Sequence, residues 1–274
     1  YVGSSDFQLG LNKYMTDHKY SNARTTDLWD ALEATSRLPV RAMMDSWVNQ
    51  TGYPVIAVNT ECGQDHTTLT IRQERFLYEK TSTKTNNDQI VWHVPFSVKS
   101  QISKSLDTFL IQQREDSISL RGTSNPRGGW IKINPGQTGF YRVNYNRRGW
   151  ERLITPIESL ELPAADRLGI QNDAFGLSMA GMLPVTQFLT LAQAYKNETD
   201  ASVWGDLVSN LGSLDSILSE EPCRQKFQEL ARVIIKPSGK RSGWDTNPED
   251  GHLDSLLRST LIGALGHYGD EETL

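Results

Sequence analysis

The most constraining feature of the sequence is a change in the spacing of its apolar residues, first near Tyr53 and again near Tyr145. Between these residues apolar side chains recur at every second position, which is typical of strands that bury one face. On both sides the spacing is about 3.6 residues, which is typical of amphipathic helices. The chain is therefore predicted to be an α+β protein with one block of strands between two helical blocks.

The first block, residues 1–51, is predicted to contain several helices. One apolar stripe is formed by Phe7, Leu11, Tyr14 and Met15. Pro39 suits the first position of a later helix, where its missing N–H is not needed. Gly52 is predicted to end that helix in the left-handed conformation.

The second block, residues 52–147, is predicted to be an antiparallel β-sandwich. Its clearest strand is at 90–98, and Pro95 places that strand at an edge or a bulge, because proline has no N–H to donate. Shorter strands are expected at 108–111, 117–120 and 130–133, with turns at 81–87, 122–129 and 134–136. About seven short strands separated by turns favour two packed sheets.

The third block, residues 148–274, is predicted to be a stack of helix pairs, a truncated superhelix of the HEAT or armadillo type. Pro163, Pro184 and Pro222 each stand near an expected helix start. The last apolar stripe comprises Leu253, Leu256, Leu257, Leu261, Ala264 and Leu265. Because Asp270 and the acidic residues after it resemble the first turn of another helix, and because the chain starts at Tyr1, both ends are expected to be truncated.

The composition excludes some classes of function. A formal net charge of −5 argues against a nucleic-acid-binding protein. The chain contains no apolar run of the roughly 20 residues that a transmembrane helix needs. Cys62 and Cys223 are expected to be reduced thiols in a reducing compartment, and a single disulfide is the alternative.

A complete set of catalytic or metal-binding groups is absent from the sequence. No two of the five histidines (His18, His66, His93, His252 and His267) are spaced as H-E-x-x-H. There is no C-x-x-C and no G-x-S-x-G. The Gly239-Lys240-Arg241 stretch lacks the earlier glycine and the following hydroxyl residue of a phosphate loop. No catalytic or metal-ligating residue is therefore predicted in this chain, and substrate-binding residues are not identified.

Some weaker patterns have both a functional and a structural reading. His252 followed by Asp254 resembles an orienting pair, but a solvent-facing histidine at a helix start is the simpler interpretation. His93 lies opposite the apolar face of its strand and is expected to be exposed. The Asn49-Gln50-Thr51 and Asn197-Glu198-Thr199 sequons matter only in a secreted protein.

Asp166, Arg167 and Asp173 are predicted to lie on one helix. Asp166 and Asp173 are two turns apart, so both side chains can face one cleft. A salt bridge on the helix surface or a helix cap is the simpler interpretation of these residues.

Several stretches, in this order, resemble one family, the zinc-dependent gluzincin aminopeptidases. They are NARTTDLW at 22–29, MDSWVNQTGYPV at 44–55, GFYRVNY at 139–145, DRL at 166–168 with NDAF at 172–175, and GWD at 243–245 with GHLDSLLR at 251–258. The last stretch is most similar to the puromycin-sensitive branch. The resemblance covers essentially the whole chain.

The resemblance implies an architecture and an activity. Residues 1–51 would be the last helices of a thermolysin-like catalytic domain, residues 52–147 the β-sandwich, and residues 148–274 the first part of the helical domain. The zinc ligands, the general base and the transition-state tyrosine of the family would lie upstream of Tyr1. The full-length protein would bind zinc and remove N-terminal residues from peptides, in the cytoplasm, while this stretch alone would be inactive and would supply the sandwich and a helical wall of the peptide cavity.

Two alternatives remain. The chain is also consistent with a short, non-catalytic product that binds peptides or proteins, and with an unrelated sandwich-plus-helices interaction protein. If the catalytic domain is missing, the surface that normally packs on it should leave Leu28, Trp29, Met43 or Met44 partly bare and favour association.

Overall fold

The computed structural model of the chain describes residues 1–63, 65–78, 90–103, 105–121, 129–246 and 249–274. The turns predicted at 81–87 and, apart from Gly129, at 122–129 lie outside these residues. Over the described residues the order is three α-helices, seven strands and six α-helices, so the predicted strand block between two helical blocks is confirmed. The α-helices are α1 Ser4–Asp17, α2 Thr25–Ser36, α3 Val40–Val48, α4 Arg147–Glu158, α5 Ala164–Met179, α6 Val185–Ala192, α7 Ala201–Ile217, α8 Arg224–Ser242 and α9 His252–His267. The strands are β1 Pro54–Cys62, β2 His66–Arg75, β3 Val94–Ser100, β4 Asp107–Ile111, β5 Glu115–Arg121, β6 Ile131–Ile133 and β7 Arg142–Tyr145, and 3-10 helices span Pro135–Gln137 and Gln193–Asn197.

The first helix packs on the second through its backbone rather than through its apolar stripe. Gly10 is the buried residue of α1, and a Cβ at this position would lie 2.7 Å from Cδ2 of Leu32 in α2. Phe7 and Met15, which belong to the predicted stripe, are 47% and 66% exposed. The helix itself is confirmed, but much of its apolar face is open to solvent.

The end of α3 differs from the prediction. The helix stops at Val48, where the N–H of Asn49 still donates to the carbonyl of Asp45 at 3.2 Å. Gly52 has a φ of +90°, but it lies in the turn that leads into β1 and does not end the helix. A left-handed residue is needed at this turn, and only glycine adopts that conformation without strain. Pro39 precedes the first helical residue instead of occupying that position.

The strands form two sheets, one of four strands in the order β5-β2-β1-β7 and one of three in the order β4-β3-β6. β1 is antiparallel to β2, with Pro54 opposite Arg75. β1 and β7 are parallel, with Val55 opposite Arg142, so the prediction of a wholly antiparallel arrangement was wrong. After β1 and β2 the chain crosses to the second sheet for β3 and β4, returns to the first as β5, crosses again for β6, and enters the first sheet once more as β7, beside β1 and in the same direction.

The strand predicted at 90–98 begins only at Val94, because side chains occupy the backbone groups before it. Gln73 accepts from the N–H of Trp92 and donates to its carbonyl, both at 2.9 Å. Pro95 has a partner strand on one side: it stands opposite Leu110 of β4, whereas β6 pairs with β3 from Val98 to Ser100. β3 is the central strand of its sheet, so the prediction of an edge strand was wrong, although at Pro95 itself β3 pairs on one side only, where a missing N–H is tolerated.

Apolar residues of both sheets and of α4–α9 form one continuous core. The core includes Ile56 and Ile71 from the four-stranded sheet, Phe96 from the other sheet and Leu153 from α4, and all four are fully buried. Two members of the last predicted stripe are not part of it. Leu253 and Leu256 are 61% and 51% exposed, because the buried face of α9 begins one turn later.

The C-terminal acidic residues form no further helix. Asp270 is buried and accepts from Nζ of Lys236 at 2.8 Å, so its charge is used to hold the chain end against α8. Among the described residues, no helix is both long and apolar enough to cross a lipid bilayer.

Candidate functional site

A buried polar cluster joins α5 to the strands. Four residues at successive turns of α5 form the contact stripe: Asp166, Gly169, Asp173 and Gly176. The two glycines allow a close approach, because a Cβ at Gly169 would lie 1.9 Å from Nε2 of Gln137, and a Cβ at Gly176 would lie 2.7 Å from Cζ of Arg142. Aspartate and glycine therefore alternate along the side of α5 that meets the strands. Each aspartate supplies a carboxylate, and each glycine leaves space for a neighbouring side chain.

Asp166 holds the connection between β6 and β7. Its Oδ1 accepts from the N–H of Gly136 at 2.7 Å and lies 3.5 Å from Nζ of Lys132. Lys132 is only 2% exposed, and its ammonium group also donates to the carbonyls of Ile133 and, at 3.0 Å, Asn134. Burial lowers the pKa of Lys132, and the negative charge of Asp166 opposes this shift.

Asp173 holds β7 itself. Its Oδ2 accepts from the N–H of Val143 at 3.0 Å, and its Oδ1 lies 3.3 Å from Nη1 of Arg142. Burial raises the pKa of Asp173 to about 6, against the opposing effects of the Val143 N–H, Arg142 and Lys132. The guanidinium of Arg142 also donates to the carbonyl of Asn172 at 2.9 Å.

These contacts correct both predictions for Asp166 and Asp173. The two carboxylates do lie on one side of the helix, as their spacing indicates. They are buried under strands and held by N–H groups and cations, so they neither face an open cleft nor form surface salt bridges. The cluster is a structural joint in which no carboxylate is available to a substrate.

Arg167, the third residue of this group, points to another buried pair. Its Nε and Nη2 donate to the two carboxylate oxygens of Glu198 at 2.6 and 2.7 Å. Oε1 of Glu198 also accepts from the N–H groups of Thr199 and Asp200. This pair fixes the loop before α7 to α5. The neighbouring Asn197 is exposed, but its Nδ2 donates to the carbonyl of Glu158 at 2.9 Å.

The histidines are distributed over the described part of the chain without forming a site. They lie after α1 (His18), in β2 (His66), before β3 (His93), at the start of α9 (His252) and at its end (His267). No group of three histidine, cysteine, aspartate or glutamate side chains among the described residues is placed to hold a metal ion. Cys62 and Cys223 are exposed and are not joined by a disulfide.

Two histidines had specific predictions. His252 is exposed at the first position of α9, as predicted, and Asp254 caps the N–H of Gly251 at 2.9 Å instead of orienting the imidazole. His93 is half-buried rather than exposed. Its N–H donates to Oγ of Ser46 at 2.9 Å, and its carbonyl accepts from Nε1 of Trp47 at 3.0 Å, so it connects α3 to the strand region.

No pattern in the sequence points to the buried charges Lys132 and Glu198 or to the partly buried Arg142. Lys132 alternates with Ile131 and Ile133, a pattern that normally indicates a solvent-facing side chain. Its burial depends on α5, which covers that position from elsewhere in the chain. No local signal distinguishes such a lysine from an exposed one.

Comparisons with known proteins identify relatives for both ends of the chain. The family profile described as "Peptidase family M1 domain" matches residues 1–47, and the profile described as "ERAP1-like C-terminal domain" matches residues 130–274. Aminopeptidase M1-A of Oryza sativa subsp. japonica is 36% identical, over 100% of this chain and 31% of its own length. Aminopeptidase M1 of Arabidopsis thaliana is 33% identical, over 100% of this chain and 32% of its own length, and glutamyl aminopeptidase of Sus scrofa is 31% identical, over 100% and 29%. The chain thus spans about a third of the length of these curated relatives.

Proposed function

Since this chain belongs to the M1 aminopeptidase family, we propose that it is part of a zinc metalloaminopeptidase that removes N-terminal residues from peptides. The supporting observation is the alignment, which extends over 100% of the chain with relatives that are named aminopeptidases. The residues in hand do not fit a zinc site, because the sequence contains no H-E-x-x-H and the described residues contain no ligand cluster. In this proposal the zinc ligands and catalytic groups lie in another part of the protein.

In this proposal the chain has three parts. Residues 1–51 are the helical end of the peptidase domain, residues 52–147 form a β-sandwich, and residues 148–274 are the first part of a helical superhelix. The two sheets that contribute to one core support the second assignment, and the stacked helices α4–α9 support the third. The helices wall the peptide cavity and limit the size of peptides that enter it.

The first helices provide the link to the rest of the peptidase domain. Exposed apolar side chains on and near α1 include Phe7, Leu9, Met15 and Tyr20. This patch supports packing against further parts of the peptidase domain. The residues expected at this surface from the sequence are more covered: Met43 is buried, and Leu28, Trp29 and Met44 are half-buried. The hydrogen bonds of Ser46 and Trp47 with His93 then connect this domain to the sandwich.

We also propose a cytoplasmic location for the protein. Cys62 and Cys223 are exposed and free, which is expected of thiols in a reducing compartment.

The test is a pair of activity measurements. The 274-residue chain, purified in zinc buffer and dialysed, should retain no zinc and should release no leucine from a fluorogenic leucine amide. A chimera, in which this chain replaces the aligned 31% of the rice aminopeptidase M1-A, should bind zinc and hydrolyse the same substrate. The rice protein without that third is the control for the contribution of the replaced part.

Two results would contradict the proposal. Zinc bound by the isolated chain with turnover would locate a catalytic site among its own residues. A folded, zinc-loaded chimera without activity would mean that this chain cannot serve as the sandwich and cavity wall of such an enzyme.

A further inference from the structure

Aromatic side chains cluster at one end of the four-stranded sheet and are open to solvent there. Tyr53 precedes β1, Phe76 follows β2 and Phe140 precedes β7, and because β1 pairs with both other strands, these three residues come together. The ring centroid of Tyr53 lies 5.4 Å from that of Phe76 and 5.1 Å from that of Phe140. Phe140 is 71% exposed, and Tyr78, whose ring meets the edge of Phe76, is 57% exposed. We call these four residues the aromatic patch, and an exposed apolar surface of this kind is typical of an interaction site.

A row of polar side chains leads from the aromatic patch to Asp206 on α7. Cζ of Arg142 lies 4.9 Å from the ring centroid of Phe76, and its Nε donates to the hydroxyl of Tyr53 at 3.3 Å. Nη1 of Arg142 donates to Oδ1 of Asn172 at 2.9 Å, and Nδ2 of Asn172 donates to Oδ1 of Asp206 at 3.4 Å. Tyr53, Arg142, Asn172 and Asp206 are all half-buried, so each member of the row keeps some contact with solvent.

Asp206 carries a negative charge that the joint between α5 and the strands does not neutralise. The two cations of that joint, Lys132 and Arg142, are each paired with an aspartate of α5. Among the described residues, the Asp206 carboxylate accepts hydrogen bonds from the amides of two asparagines and forms no ion pair of its own. Burial raises the pKa of Asp206, while the two amides and the more distant charge of Arg142 oppose this shift. A cation from outside the chain would compensate the charge of this carboxylate.

We propose that the aromatic patch and Asp206 together bind a basic peptide, in which an apolar side chain packs on Phe140 and Tyr53 and a lysine or arginine side chain donates to the Asp206 carboxylate. An ionised carboxylate only accepts hydrogen bonds, and its bonds with cationic donors are stronger than those with neutral ones. In an extended peptide, alternate side chains point to the same side at a spacing of roughly 7 Å, so one short peptide can present both groups. That the ligand is a peptide rests on the proposed function, whereas its apolar and cationic groups follow from the surface itself.

The test is a calorimetric titration of the full 274-residue chain with short capped peptides. Acetyl-Phe-Ala-Lys-amide should bind saturably. Acetyl-Phe-Ala-Glu-amide should bind at least about tenfold more weakly, because its carboxylate would be repelled by that of Asp206. Acetyl-Ala-Ala-Lys-amide should also bind more weakly, because it lacks the ring that packs on the aromatic patch. The titration needs neither zinc nor turnover, so its failure is distinguishable from the failure of the chimera.

Two variants remove the two halves of the surface separately. Asp206→Asn removes the charge and should weaken binding of the lysine peptide about tenfold, as expected for loss of a hydrogen bond between charged groups, and abolish its preference over the glutamate peptide. Phe140→Ala changes an exposed side chain and should lower the affinity of acetyl-Phe-Ala-Lys-amide to that of acetyl-Ala-Ala-Lys-amide without preventing folding. The matched controls are Asp17→Asn on α1 and Trp244→Ala after α8, where the tryptophan is 61% exposed.

The proposal is wrong if the lysine peptide does not bind or if the glutamate peptide binds as tightly. It is also wrong if the two control variants weaken binding as much as Asp206→Asn and Phe140→Ala. Binding that depends on Asp206 and Phe140, together with an inactive chimera, would support this surface and contradict the assignment to an aminopeptidase.

Discussion

Asp173→Asn should remove the pH dependence that the buried Asp173 carboxyl gives to the free energy of unfolding of the protein. The Asp173 carboxyl has a pKa of about 6 in the folded chain, compared with an ordinary value of 3.8. The folded state therefore retains a proton that the unfolded chain releases between these values. Its contribution to stability is fully present below the lower value and is lost as the pH rises through the higher one.

The size of the effect follows from these two pKa values. Linkage predicts that the Asp173 contribution falls by about 1.3 kcal/mol between pH 5 and pH 7. Asparagine does not titrate, so the difference in unfolding free energy between the wild type and Asp173→Asn should fall by this amount over the same interval. The substitution also removes the charge opposite Arg142. This loss adds a constant to the difference in unfolding free energy and does not change how that difference varies with pH.

Urea denaturation at pH 5, 6 and 7 measures the slope. Asp17→Asn is the control, because Asp17 is an exposed carboxylate on α1 that pairs with Lys13, and its effect reports the general consequence of losing such a charge in the same buffers. The reasoning is refuted if the difference between wild type and Asp173→Asn stays constant or increases from pH 5 to pH 7. An increase would mean that Arg142 and Lys132 outweigh burial at this carboxylate.

Two further changes test the packing of α5. Arg167→Met leaves the buried Glu198 carboxylate without its cation and should destabilise the protein by about 3–5 kcal/mol in urea denaturation, and adding Glu198→Gln should recover part of this loss. Gly176→Ala places a Cβ against the guanidinium of Arg142 and should cost about 1–3 kcal/mol by the same measurement. Gly205→Ala on α7, where a Cβ meets open space, should instead be neutral or slightly stabilising, and equal effects of the two glycine variants would contradict the packing argument.

The periodicity of the sequence was sufficient to locate the elements, because each element has to bury one side. The strands at 108–111, 117–120 and 130–133 appear close to their predicted positions as β4, β5 and β6. Which strands pair with each other, and in which direction, could not be predicted in the same way. The parallel pairing of β1 with β7 depends on the path of the chain through the second sheet, and no residue of either strand encodes it locally.

The same limit explains why the α5 joint was misread. The spacing of Asp166 and Asp173 correctly placed both on one side of α5. Whether such a side is solvent-exposed depends on the element that covers it, and charged residues at helical spacing are normally assigned to the surface. The informative residues are Gly169 and Gly176 between and beyond them, because glycine weakens a helix unless a close neighbour requires the space. In this chain the stripe that alternates aspartate with glycine is the side of α5 that meets the strands, and the N–H of Val143 and the guanidinium of Arg142 are the groups that it contacts.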